Sequence, residues 1–285
     1  MRGGITIRAK ARDEAMDNTT YIALSRQQSL WNQLEVVANN LANVNTTGFK
    51  GSDTLFAQYL FKSKSEDRTF TDRVAFTHDF GLVRNLSQGA LNYTGNTFDV
   101  SLQGAGYFVV QKADSGNGQT PPEAHYTRAG SFTLNNSGQL VTQTGELVMS
   151  TTNQPIQIPN DGSSITIQGD GTIISSGNIS PTTTSVAQTT PRTIGKLRIV
   201  TFDNERDLKA VDGTKFAASA GQQPVEDPTP KVAQGVLEDS NVNAISEMTR
   251  LININRSYAD IAKLIDEEHT RIRQTSDTFT KQVSA

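Results

Sequence analysis

Two apolar stripes at helical spacing, one at each end of the chain, constrain this fold more than any other feature. From about Thr19 to Asn43, Ala23, Leu30, Leu34, Val37, Leu41 and Val44 lie on one stripe, which Gln27 interrupts. The steps after Leu30 are four, three, four and three, the a/d seam of a coiled coil. At the other end, Leu251, Ile254, Tyr258, Ile261, Ile265, Ile272 and Phe279 recur at three-four spacing, broken at Glu268 and Thr275. Each seam is too narrow to hold a helix alone in water, so the two should pack on each other.

The first helix is expected to be roughly 25 residues and about 40 Å long. Thr46-Thr47-Gly48 should stop it, with Gly48 as the left-handed residue beyond its end. Asparagines crowd its end: Asn39, Asn40, Asn43 and Asn45. Asn is a poor helix former because its amide competes for nearby backbone groups, so this surplus suggests a surface that hydrogen-bonds to something else. Residues 1–15 match neither the helical stretch after them nor a targeting signal, and are expected to be a disordered extension. Met16-Asp17-Asn18 reads as a second start, with Asp17 or Asn18 as a helix N-cap.

Between the ends the chain is Gly-, Thr- and Asn-rich. Residues 49–80 read as an extended linker region carrying a short helix near Thr54 to Phe61, with Phe56, Tyr59, Leu60, Phe61, Phe70 and Phe76 scattered through it. Residues 81–231 alternate short β-like runs with turn signals. Ser131–Leu134 and Gln139–Thr142 flank a turn containing Gly138, and Ile165–Ile167 and Thr172–Ile174 flank Asp170-Gly171. Ser175 to Arg192 is a Ser/Thr/Pro loop, and Leu197–Phe202 a further strand. Gly221 to Lys231 with its three prolines, and 232–242 after it, read as linker. Residues 16–48 and 243–285 are the helical ends. The fold class expected is α+β: terminal helices packed as a coiled-coil-like pair, around a mainly antiparallel β domain.

Chemistry finds little support. With no cysteine, disulfides, thiolate zinc sites and Cys nucleophiles are excluded. His78, His125 and His269 lack metal-ligand spacing and read as solvated surface. Gly104-Ala105-Gly106 is half a dinucleotide fingerprint, but strand follows it where a helix N-terminus is needed; a turn or bulge fits better. Asp266-Glu267-Glu268 sit on a helix with Arg271 and Arg273 downstream, a solvated face rather than paired catalytic acids. No catalytic, cofactor or metal residue is assigned and no cofactor is expected. A net charge of −3 gives no footprint for nucleic acid, and no apolar run approaches the length that spans a bilayer.

The residues resemble a known family. Val37-Ala38-Asn39-Asn40-Leu41-Ala42-Asn43-Val44-Asn45-Thr46-Thr47-Gly48-Phe49-Lys50 is similar to the N-terminal signature of bacterial flagellar rod and hook proteins. Thr97 to Val110, Tyr126 to Phe132, Ile194 to Val200, and Gln234 to Asn243 followed by Glu247-Met248-Thr249 resemble later motifs of that family, in order. Within it, Glu247-Met248-Thr249-Arg250 and the Asp266-Glu267-Glu268 tail look more like the proximal-rod branch than the distal-rod branch. A distal-rod or hook-type axial protein of the same family remains an alternative, although the compact length argues against the larger hook subunit. The rivals from other classes are a secreted β-rich adhesin or carbohydrate-binding protein, and a cell-wall glycoside hydrolase.

The resemblance implies a structural, non-enzymatic subunit of the basal-body rod, carrying torque from motor to hook across the periplasm. It implies export through the flagellar type III apparatus without a cleaved signal peptide, other rod subunits as partners, and helices forming an inner tube under a β outer layer. On that reading Leu30, Leu34, Val37, Asn39, Asn40, Leu41, Asn43, Val44, Leu251, Ile254, Tyr258, Ile261, Ile265 and Ile272 are the subunit-interface residues. The terminal helices are then expected to stay unfolded until neighbours cover them.

Overall fold

The computed structural model describes residues 3–62, 73–112, 123–159, 163–176, 191–219 and 221–283. Over 177–190 the expected Ser/Thr/Pro loop lies outside the described residues, as does Phe70; so do the side chains of Phe56, Tyr59, Leu60, Phe61, Phe76, His78 and Phe279. The chain divides into two compact units. The first comprises Met1–Ala42, Ser52–Val83 and Asn243–Ala285; the second comprises Asn43–Gly51 and Arg84–Val242.

The first unit is built on helices α1 (Gly3–Ala42) and α2 (Ala244–Val283), with strands β1 (Ser52–Lys62) and β2 (Arg73–Arg84) forming a two-stranded sheet. The helices pack together. Trp31 meets Tyr258, and Asn40 meets Glu247, so α2 runs antiparallel to α1. Asn243 caps α2: its Oδ1 accepts from the Ile245 and Ser246 amides at 3.0 and 3.1 Å. Glu247 lies in the first turn, where a carboxylate complements the helix dipole.

Three expectations for this part of the chain need correction. The helix begins at Gly3, so 3–15 are not a disordered extension and Asp17 and Asn18 lie inside α1 rather than at its start. From Ile5 to Met16 no Gly or Pro interrupts a run containing Ala, Arg, Lys and Glu, which favours helix. The segment read as linker with a short helix near Thr54–Phe61 is strand β1. Its aromatic residues have the shape of strand formers, and only their irregular spacing hid it. Finally, α1 has 40 residues rather than roughly 25; its end at Ala42 and the φ of 70° at Gly48 beyond it fit the expected stop.

Among its described residues the second unit is mainly β-structured, with one short 3-10 turn at Glu205–Asp207. Its strands are β3 (Leu91–Tyr93), β4 (Val100–Leu102), β5 (Tyr107–Gln111), β6 (Ala124–Thr127), β7 (Phe132–Leu134), β8 (Leu140–Thr142) and β9 (Leu147–Val148). They continue with β10 (Ser164–Ile167), β11 (Thr172–Ser176), β12 (Arg192–Lys196), β13 (Ile199–Thr201), β14 (Lys209–Asp212) and β15 (Lys215–Ala217). The last are β16 (Val225–Glu226), β17 (Val232–Gln234) and β18 (Val236–Glu238). Among the described residues the largest sheet has nine strands, running β14-β15-β6-β5-β9-β8-β7 with β13 and β16 attached through β5. The pairings are antiparallel.

β5 shows why the unit holds together. Its residues alternate between two cores: Phe108 and Val110 enter one with Phe132, Leu140, Ile173 and Leu197. Tyr107 and Val109 enter the other with Tyr126, Val200, Phe202 and Phe216. A strand apolar on both faces is a central strand covered on both sides. The second core is aromatic, with Tyr126 and Phe202 ring centroids 4.8 Å apart at 81°.

Both hairpins expected from glycine turns form. β7 and β8 pair with Phe132 opposite Thr142, and β10 and β11 with Ile167 opposite Ile173. Gly138 and Gly171 have φ of 75° and 83°, the left-handed values such turns require. The two stretches expected as linkers carry short strands: 221–231 is irregular apart from Val225–Glu226, whereas 232–242 holds two three-residue strands. β16 pairs with β13, β17 with β4, and β18 with β3. Strands of two or three residues carry no alternation to betray them.

Candidate functional site

In the first unit, Leu30, Val37 and Ile254 are buried together, with Leu34, Leu251, Tyr258 and Ile261 packed against them. Seven of the residues expected to face neighbouring subunits are therefore occupied within the chain. Spacing revealed that the stripe is buried but not what buries it. Leu41 and Ile265 are half-buried outside this cluster, and Ile272 is exposed.

The asparagines divide. Asn39 is exposed. Asn40 is buried: its Oδ1 accepts from the Ser52 amide at 3.0 Å, and its Nδ2 donates to the Ser52 carbonyl at 2.9 Å and to Glu247 Oε2 at 3.4 Å. One amide thus fixes α1 to the start of β1 and to the first turn of α2. Arg250 on α2 pairs with Asp53 of β1. Asn43 and Val44 lie beyond the helix, half-buried in the second unit. There Asn43 opens the turn that leads to Gly48, its carbonyl accepting from the Thr46 amide at 3.1 Å.

A second apolar stripe on each helix is uncovered. On α1 it comprises Tyr21, Leu24 and Trp31, exposed by 61, 55 and 54%. On α2 it comprises Ile245, Met248 and Ile252, exposed by 77, 49 and 50%. On each helix it is turned by about a third of a turn from the buried seam. Tyr21, Leu24, Ser25 and Gln28 line a shallow apolar depression. The sequence carried a signal for these residues: Ile245, Met248 and Ile252 step by three and four, and Tyr21, Leu24, Gln28 and Trp31 by three, four and three. The longer inner stripes overshadowed it.

Titratable groups elsewhere make ion pairs. His125, expected on the surface, is buried, with Nδ1 3.1 Å from Glu146 Oε1; Lys215 Nζ lies 3.3 Å from the same oxygen. This ties β15 to β6 and to the turn before β9. On α2, Glu267 faces Lys263 and Glu268 faces Arg271 on the helix surface. Among the described residues no group of three or more His, Cys, Asp or Glu is placed to hold a metal, and no helix is long and apolar enough to cross a membrane.

Three family models match the chain in order. Residues 21–50 match the flagella basal body rod protein model, 101–175 the flagellar hook protein FlgE/F/G D1 domain, and 233–278 the flagellar basal body rod FlgEFG protein C-terminal model. The chain is 37% identical over 255 residues to a flagellar basal-body rod protein FlgF of Caulobacter vibrioides, covering 88% of this chain and 93% of the relative. It is 30% identical over 265 residues to FlgF of Rhizobium meliloti, covering 93 and 98%. To the rod protein FlgG of Agrobacterium fabrum it is 35% identical over 262 residues, covering 86 and 92%.

Proposed function

Because the chain belongs to the flagellar basal-body rod protein family, FlgF-like and a structural subunit of the rod, we propose that it polymerises with other rod subunits through the uncovered stripes of α1 and α2. The observation that carries this reading is the six exposed apolar residues Tyr21, Leu24, Trp31, Ile245, Met248 and Ile252. Large apolar side chains exposed at helical spacing on a folded chain mark a candidate interaction surface, here one on each helix. A head-to-tail contact that does not close into a ring generates a helical filament. Close-packed side chains between copies resist shear, which is the property a torque-carrying shaft requires. The role is mechanical, and no catalytic step is ascribed to the chain. Its place is the proximal rod, reached across the periplasm after export by the flagellar type III apparatus.

Ile252→Asp and Leu24→Asp test this in a strain lacking the chromosomal copy. Both positions are exposed within the chain, so the purified variants should keep the wild-type unfolding transition. In the cell each would place a charge in an apolar contact, and swimming should be lost with rods absent from isolated basal bodies. Normal swimming by both variants would overturn the assignment of this surface.

A further inference from the structure

The second unit contains a buried ionic clasp centred on Glu238, the last residue of β18, which is 2% exposed. Oε1 of Glu238 accepts from Lys50 Nζ at 2.5 Å and from the Gly89 amide at 3.1 Å; Oε2 accepts from an Arg128 NH group at 3.3 Å. Lys50 and Arg128 are each 4% exposed, and Glu238 is the carboxylate with which both pair. Burial holds the Lys50 ammonium below its ordinary pKa, and its hydrogen bond to Glu238 is what opposes that. The surrounding backbone converges on the same segment. The Gly48 amide donates to the Glu238 carbonyl at 2.7 Å, and the Asp239 amide to the Ala90 carbonyl at 2.8 Å. Asn241 accepts from the Gly51 amide and donates to the carbonyls of Asn85 and Ser87. Gly89 sits so close that a Cβ there would fall 1.9 Å from the Asp239 carbonyl oxygen.

Residues 232–241 are the C-terminal end of this unit, yet they supply the anion for two cations that precede them by 188 and 110 positions. Without Glu238, closing the loops that carry Lys50 and Arg128 would bury two positive charges unpaired, which is strongly unfavourable. Contacts across such separations also form against a large loop-closure entropy.

We propose that residues 232–241 close the second unit last, with Glu238 acting as a charge lock that keeps the unit open until the C-terminal end of its own chain is available. The use of such a lock rests on the reading of the chain as an exported rod subunit. A chain threaded N-terminus first would stay unfolded until its last β segment had passed.

The test is folding kinetics of the full chain, followed by pulse-labelling hydrogen exchange at the amides of β5 and β6. Glu238→Gln keeps the shape and removes the charge. It should raise the unfolding rate by about 100-fold or more and leave the refolding rate within about threefold, because the contact is absent from the transition state. A refolding rate that falls as far as stability does would overturn the proposal. If Glu238→Gln does not fold, Asn241→Ala gives the same reading with a smaller unfolding change, about tenfold. The triple variant Lys50→Met, Arg128→Met, Glu238→Leu should recover most of the stability that Glu238→Gln loses. A triple variant no more stable than Glu238→Gln would mean that packing rather than charge carries the effect, and would equally overturn the lock. None of these readouts depends on assembly, so failure of the rod reading shows only in the swimming assay.

Discussion

Ile254→Ala tests whether the inner stripe belongs to one chain. Ile254 is 5% exposed and shares a buried cluster with Leu30 and Val37 of α1. Truncation removes three carbons, about 2.4 kcal/mol at ~0.8 kcal/mol per buried methylene. A cavity term adds to this, but a seam between two helices relaxes more readily than a closed core, so the loss should be about 2.5–3 kcal/mol. Ile252, two residues away and 50% exposed, should cost under about 1 kcal/mol when truncated. Trp31 is the single tryptophan of the chain, and its ring lies 6.3 Å from that of Tyr258. Its fluorescence therefore reports the contact between α1 and α2. In urea titration Ile254→Ala should lower the midpoint of the Trp31 transition several times more than Ile252→Ala does. Both shifts should be independent of protein concentration, since an intrachain seam has no association term. Equal shifts, or a midpoint that rises with concentration, would mean that the inner stripe is covered by other copies, and the uncovered-stripe assignment would fall.

Two further outcomes concern the second unit. At Gly130 a Cβ would lie 1.6 Å from the Val100 carbonyl oxygen, whereas at Gly145 it meets open space and only the φ of 86° opposes it. Gly145→Ala should cost about 1–2 kcal/mol in thermal unfolding and Gly130→Ala considerably more; similar losses would contradict the packing of Gly130 on β4. Burial pushes the Tyr107 phenol up, reinforced by Glu205, whose Oε2 accepts its hydrogen bond. The unfolded phenol ionises near pH ~10 while the folded one stays protonated, so its contribution to stability falls as pH rises above about 10. Tyr107→Phe should flatten that decline. Tyr126, also raised by burial, remains, and Lys50, whose folded pKa is lowered, adds stability as pH rises toward ~10.5. Unchanged slopes of urea midpoint against pH in wild type and Tyr107→Phe would refute the assignment.

Much of the fold was legible because it depends on strong local signals. The helical period at both ends and the glycine turns of β7–β8 and β10–β11 state their structures within a dozen residues. What was hidden depends on distant partners. Val232–Gln234 and Val236–Glu238 look like linker, since three-residue strands have no period and Gly235 lies between them. Nothing local in the sequence marks Lys50, Arg128 and Glu238 as a buried group, since the counterion of Lys50 lies 188 positions away. Asn40 illustrates the same limit. The asparagine surplus suggested a surface that hydrogen-bonds to something else, but for Asn40 the partners are the backbone of Ser52 and the carboxylate of Glu247 in its own chain.

The division of each helix into two stripes changes how assembly would be driven. Sequence alone favoured ends that order only when neighbours arrive, with the entropy of folding subtracted from every contact. In the structure the inner stripe, the Asn40 amide and the pairing of Arg250 with Asp53 hold α1, α2 and the start of β1 together within one chain. The outer stripe is then presented on helices that are already paired. Less of the contact free energy between copies is consumed in ordering them. On this reading the seam sets whether the subunit folds and the outer stripe sets whether it polymerises. Trp31 belongs to the outer stripe and also meets Tyr258 of the seam; at the other positions substitutions in the two should separate, the first moving the Trp31 transition of the monomer and the second moving assembly.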